Sequence, residues 1–323
     1  MRWPASSIVA SATADYVEPS RPVVPPWIAS SASPPRNDGV IASEAKQSRS
    51  RACRAFHFVN ERSLVMKTPL IALAAAALIT SPALAQSIRV GVTAGPHAEI
   101  MEKVIPEAKK LGMDIKIVEF TDYVIPNQAL ANGDIEANSF QHEPYLKSQM
   151  SKTNWKLTTV GVTIATPMGF YSKKFKKFDD VPSGALVAIQ NDPSNAARSL
   201  RLLADNGIIK LRDGAGVAAG LTEIVDNPKK LKFIELDAAQ LPRSLPDVDI
   251  AAVNNNYALQ AGLDPIRDSI LKEKNDSPWV NVLVVREQDK DKPWVKTFVS
   301  AYQTPSVKQF IADKFKGAYT AAW

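Results

Sequence analysis

From residue 87 onward, short stretches of two-residue alternation take turns with longer stretches of helical spacing. Residues 87–92 (SIRVGV) alternate as a strand does and run into the turn Thr93-Ala94-Gly95-Pro96-His97. Residues 98–111 read as an amphipathic helix stopped by Gly112, and 113–120 (MDIKIVEF) alternate again. A short helix over 127–131 is ended by Asn132-Gly133, and residues 134–138 read as a third strand. Strand–helix–strand alternation of this kind predicts βαβ units and a mostly parallel sheet.

The pattern then restarts. Residues 186–189 read as a strand, 191–193 as a turn, and Ser194 as the cap of a helix running through Ile208, with Gly207 suited to its end. Further strands are predicted at 232–236 and 249–254. Residues 130–140 (LANGDIEANSF) echo 245–255 (LPDVDIAAVNN): a turn, D-I-x-A, then Asn at the strand's carboxyl end. Two sheets of similar build would each present an Asn-bearing strand end, and ligands of open α/β sheets lie beyond such ends. Extended stretches at 158–165 and 279–286 are candidate connections, so that the chain leaves one lobe near 167 and returns near 280. Helices follow from Pro293 onward. A double crossing between lobes is a hinge architecture.

Residues 1–65 are rich in Ser, Pro, Ala and Arg, with neither period sustained. They read as outside the native protein, with Met66 as the true start, or else as a disordered leader. Residues 66–85 carry a charged start at Lys67, an apolar run over 70–79, and Ala83-Leu84-Ala85 before Gln86, the three parts of a secretory signal segment. The apolar run is too short for a spanning helix, which needs ~20 residues. No Cys follows Ala85, so no lipid anchor is expected at the cleavage site and the mature protein is expected in the periplasm.

Composition removes some classes. Of the 39 basic and 33 acidic side chains, nine and five fall within residues 1–85, which leaves the rest at +2. No basic stripe interleaved with aromatics remains there, so a nucleic-acid partner is not expected. The single cysteine, Cys53, excludes an internal disulfide and a cysteine-based zinc cluster. No glycine-rich phosphate loop precedes a helix, which speaks against a nucleotide. The run Lys173-Lys174-Phe175-Lys176-Lys177 reads as a solvated face, with a docking patch as the alternative. Nothing suggests a permanent interface, and a monomer is expected.

Candidate chemistry gathers in two places. Tyr123, Phe140, His142 and Tyr145 bring aromatic surface and a few polar groups together, the make-up of a small-ligand pocket, or of core packing. His142, Glu143 and His97 raise a metal site, but two His at i and i+4 are absent. A hydrolase using His142 and Ser139 lacks a G-x-S-x-G elbow. Asn195 and Arg198 lie one turn apart at a helix start, where amides and a planar guanidinium can hold a carboxylate by charge-assisted hydrogen bonds, bidentate ones included. Arg198 equally reads as a solvated helix charge.

Taken together, VGVTAGPHAEIMEKV, FTDYVIPNQAL, GDIEANSFQHEPYL, PMGFYSKK, AIQNDPSNAARSLRLL, ELDAAQLPRSLPDVDIAAVNNNYALQAGL and WVNVLVVRE closely resemble the NlpA family, methionine-binding lipoproteins of bacterial import systems. The resemblance runs from about residue 88 to the C-terminus. It implies an α/β, two-lobed periplasmic-binding-protein fold (type II-like) with two hinge crossings: residues 86–167 plus 281–323 as lobe one, 168–280 as lobe two. It also implies a non-enzymatic receptor, without cofactor or metal, that delivers methionine or a related small amino acid to an ABC transporter permease. By analogy Arg198 takes the α-carboxylate, Asn195 and Asn254 the head group, and Tyr123, Phe140, His142 and Tyr145 surround the side chain. The chain departs from the family in lacking the lipid-modified Cys, in Gln190 where Pro is expected, and in Asn255-Asn256, an Asn-rich strand end that bears on ligand choice.

Overall fold

A computed structural model of the chain describes residues 86–217, 219–274 and 279–323; the leader and signal segment read above lie outside the described residues. Strand β1 (Gln86–Thr93) buries Ile88, Val90 and Val92 on one face. Helix α1 (Pro96–Lys110) lays Ile100, Met101, Val104 and Ala108 against that face, a three- and four-residue spacing that makes one apolar stripe. Gly112, at φ +77°, turns the chain into β2 (Met113–Phe120), parallel to β1 over its full length. Then come α2 (Ile125–Asn132), β3 (Ala137–His142), α3 (Glu143–Met150), β4 (Leu157–Val162) and β5 (Ile164–Ala165).

The chain then builds a second sheet. Its elements are β6 (Gly169–Tyr171), β7 (Leu186–Gln190), α4 (Pro193–Asp205), β8 (Lys210–Leu211), β9 (Ile224–Asp226) and β10 (Lys232–Leu236). They continue with α5 (Leu241–Ser244), β11 (Ile250–Val253), α6 (Asn255–Gln260) and β12 (Ser269–Lys272). Finally β13 (Asn281–Arg286) re-enters the first sheet, followed by α7 (Pro293–Tyr302), α8 (Pro305–Phe315) and β14 (Thr320–Ala321), which pairs with β5.

The two five-stranded sheets run β2-β1-β3-β13-β4 and β10-β7-β11-β6-β12. Each has three parallel strands in the order second, first, third, then an antiparallel neighbour, β13 beside β3 and β6 beside β11. The echoed D-I-x-A segments thus feed equivalent third strands, β3 and β11. Each sheet packs its own apolar cluster: Val90, Ile100, Leu283 and Phe298 in the first, Val187, Leu200, Leu203 and Ile250 in the second. The chain is two-lobed, crossing between sheets once between Ala165 and Gly169 and again between Lys272 and Asn281.

The stretches read as connections, 158–165 and 279–286, are largely strands of the first sheet, β4 and β13, with the crossings beside them. Two elements that carry the site also differ from the pattern. The third strand spans 137–142, not 134–138, and all six of its residues are buried. Sandwiched between β1 and β13 with both faces covered, it shows no alternation that could mark its extent. Phe140 and His142 therefore lie on the strand and not beyond it. Helix α4 is capped by Asp192, whose Oδ1 accepts from the Asn195 N–H at 2.9 Å, and Pro193 opens it; Ser194 only braces the cap by donating to Asp192 at 2.8 Å. It ends at Asp205, three residues before Ile208, with Gly207 at φ +69° just beyond.

Candidate functional site

The carboxyl ends of β1 and β3 in the first lobe face those of β7 and β11 in the second, and one cavity lies between them. Tyr123, Phe140, His142, Tyr145, Asn195, Arg198 and Asn254 all line it. Six of the seven are buried and Tyr123 is half-buried. Arg198, with 2% of its side chain exposed, is no solvated helix charge.

The first-lobe wall is aromatic. Tyr123 packs on Phe140 and on Tyr145, each with ring centroids 5.9 Å apart, and the Tyr145 hydroxyl donates to the Tyr123 carbonyl at 2.8 Å. His142 closes the wall edge-on to Tyr145 and to Trp279, at 6.2 and 5.2 Å. Its Nδ1 accepts the backbone N–H of Tyr145 at 3.1 Å, capping α3, so its proton sits on Nε2, which donates to Asn195 Oδ1 at 3.2 Å. Burial, with the Arg198 charge adding to it, holds the ring neutral down to about pH 3. With both nitrogens so engaged, and neither on Ser139, the ring has no hydroxyl to activate, which removes the basis of the hydrolase reading.

A line of amides runs along the second-lobe side of the cleft, and His142 reaches it from the first lobe. Ser199 Oγ donates to Gln190 Oε1 (2.6 Å), Gln190 Nε2 to Asn254 Oδ1 (2.8 Å), and Asn254 Nδ2 to Asn195 Oδ1 (3.0 Å), where His142 also donates. Asn195 Nδ2 donates in turn to Asp192 Oδ2 at 2.8 Å. Gln190 thus fixes which way the Asn254 amide points. Asn255 Oδ1 and Asn256 Nδ2, on residues lining the same cavity, are buried without a hydrogen-bond partner. Such groups are costly unless something fills the space and bonds them.

Arg198 is gripped from behind by Glu273: Nε donates to Oε1 at 2.7 Å and Nη2 to Oε2 at 2.6 Å. Nη2 also donates to the Thr166 carbonyl at 2.8 Å, and the guanidinium carbon stands 5.7 Å from the Trp279 ring centroid. The two-nitrogen fork expected to face a ligand carboxylate is therefore engaged by protein.

Sequence reasoning did not find Gln141, Thr166 or Asn281 among the lining residues, nor Glu273 and Trp279 behind them. It raised His97 only as a metal ligand. His97 instead accepts from Asn281 Nδ2 at 3.0 Å and donates through Nδ1 to Thr93 Oγ1 at 2.9 Å; burial lowers its pKa to about 4. Among the described residues no His, Cys, Asp and Glu cluster could hold a metal ion. The lysines at 173–177 are exposed.

Residues 88–323 match the model of the NlpA lipoprotein family. The chain belongs to that family. Within it, 241 residues are 48% identical to the D-methionine-binding lipoprotein MetQ of Salmonella typhimurium, covering 73% of this chain and 88% of that one. Among solved structures, a nutrient-binding protein from Burkholderia cenocepacia bound to methionine superposes with a TM-score of 0.72 at 52% identity, over 73% of this chain and all of its own. An ABC transporter periplasmic substrate-binding protein from Coxiella burnetii does so with 0.70 at 45%, over the same share of this chain and all of its own. The fold of this NlpA-family chain is that of the periplasmic substrate-binding proteins.

Proposed function

We propose that this chain is the substrate-binding receptor of an ABC importer, taking methionine or a close relative into the interlobe cleft and handing it to the permease. The observation that carries the reading is the convergence of both lobes on one buried cavity with an aromatic wall on one side and amides with a guanidinium on the other. A thioether is apolar and polarizable and favours aromatic edges and faces, which suits it to the wall of Tyr123, Phe140 and Tyr145. Arg198 Nη1 is assigned to the α-carboxylate, and Asn195 and Asn254 position the head group. The unpaired Asn255 Oδ1 offers an acceptor to the ammonium group.

In this reading lobe one is 86–167 plus 281–323, lobe two is 168–280, and residues 66–85 direct export and are cut before Gln86. Among the described residues no helix is long and apolar enough to cross a membrane. The receptor works as a monomer, on the periplasmic face and without a cofactor. Binding and not turnover is its chemistry, since the one histidine on the aromatic wall is hydrogen-bonded at both nitrogens.

Mass spectrometry of the small molecule released on gentle unfolding, with calorimetric titration of the stripped protein, tests this. Methionine recovered unchanged and one-to-one heat on adding it back is the expected result. A different compound moves the substrate. No bound compound and no heat with any amino acid overturns the site.

A further inference from the structure

The ion pair behind the cleft has a role that the binding scheme above leaves open. Glu273 sits just past β12, its side chain 9% exposed. Its Oε2 accepts the Met168 N–H at 2.9 Å as well as Arg198 Nη2, and its own N–H donates to the Met168 carbonyl at 3.0 Å. The carboxylate is thus pinned to the strand ladder at one hinge crossing and fills the Nε–Nη2 edge of Arg198, the edge that binds carboxylates through two parallel bonds. With Nη2 also bonded to Thr166, Nη1 is the nitrogen left for a ligand.

The charges around the cavity then sum simply. His97 and His142 are neutral, because burial pushes their pKa values down to about 4 and about 3. Arg198 and Glu273 cancel. Asp192, capping α4 and bonded to Asn195, adds negative charge and no positive. A ligand that carries only a carboxylate would bring an uncompensated charge into the closed cleft, where water cannot repay it; a zwitterion brings none.

We propose that Glu273 is a specificity-determining positioning residue: by neutralising Arg198 and occupying its fork, it restricts the cleft to net-neutral zwitterionic amino acids and excludes acids that lack an amine. This rests on the amino-acid-receptor reading above.

The test is calorimetric titration of ligand-stripped protein with methionine and with γ-methylthiobutanoate, the same thioether acid without the ammonium group. In the unmodified protein the acid is expected to bind more weakly than methionine by at least roughly thirtyfold; a smaller ratio overturns the proposal. In Glu273→Gln, which keeps the shape and removes the charge, the unopposed guanidinium favours the anion, and the ratio is expected to narrow about tenfold or more. Equal weakening of both ligands, the mark of a merely structural role, overturns it too. The first criterion needs no variant, so it stands even where Glu273→Gln fails to fold. Methionine failing to bind the unmodified protein is a separate result, which rejects the receptor reading and this proposal with it.

Discussion

Asn254, at the start of α6, is held on both sides by second-lobe side chains. One of its amide hydrogens goes to Asn195, and its oxygen is held by Gln190, so its direction is set before any ligand arrives. Asn254→Ala removes the head-group amide and strands Gln190 Nε2 and Asn195 Oδ1 with fewer partners. Methionine affinity is expected to fall at least about tenfold, equivalent to ~1.4 kcal/mol, with the far-ultraviolet circular dichroism unchanged. Titration calorimetry reads the first and spectroscopy the second. Arg198→Ala is a poorer probe, because it leaves Glu273 buried without its countercharge and lowers stability along with affinity. Individual residues of the site differ sharply in how legible they were. Phe140, His142 and Tyr145 stand within six residues of one another and announce themselves as a cluster. Glu273 lies 75 positions from Arg198, in a segment with no pattern of its own, and only the folded chain brings them together.

Among the elements, α4 does the most for the site, since its first turn carries both Asn195 and Arg198. Asp192 accepts from the Asn195 backbone N–H through Oδ1 and from its side chain through Oδ2. Asp192→Ala therefore removes a helix cap, worth about 1 kcal/mol, and frees the Asn195 amide to rotate. The melting temperature is expected to drop by about 2–4 °C in differential scanning calorimetry, with weaker methionine binding alongside. A variant that melts unchanged would mean the cap is dispensable. Strands half covered by neighbours, such as β2 at the sheet edge, wrote their alternation into the sequence and were readable from it. Strand β3 was not read to its true end, because a strand buried on both faces loses the period of two. Gln141 and Asn281 were missed for the same reason: polar residues on a central strand show their purpose only when a covering helix supplies Asn127, on α2, or His97, on α1.

At the scale of the whole molecule, the two neutral histidines make stability depend on pH. In the unfolded chain each takes a proton near pH 6.5, while in the folded protein they resist it down to about 4 and about 3. Between those limits the unfolded state binds more protons, so stability is full above about pH 7 and falls as the pH drops from about 6.5 toward 4. The slope is up to about 1.4 kcal/mol per pH unit for each ring. Chemical denaturation followed across that window should show the decline, and a flat profile would mean that the rings accept protons in the folded state. That two sheets of similar build are present was visible in the sequence as the D-I-x-A echo; their shared order, second-first-third with an antiparallel neighbour, came only with the fold. The contacts between lobes were not, because they join groups more than fifty positions apart along the chain.

Those contacts centre on α6, which begins immediately after Asn254. Tyr257 donates to the Thr121 carbonyl at 3.1 Å, Gln260 to Ala94 at 2.6 Å, Asn255 to Ala318 at 3.0 Å, and Tyr123 donates to Asn256 at 2.6 Å. None of these bonds involves the ligand, yet all must break before the lobes can part. The residence time of a bound molecule is then governed largely by protein meeting protein, and a tightly gripped and a loosely gripped ligand leave through the same opening step. In the receptor role proposed above, release becomes a matter of prying α6 away from lobe one, and not of competing for the ligand itself.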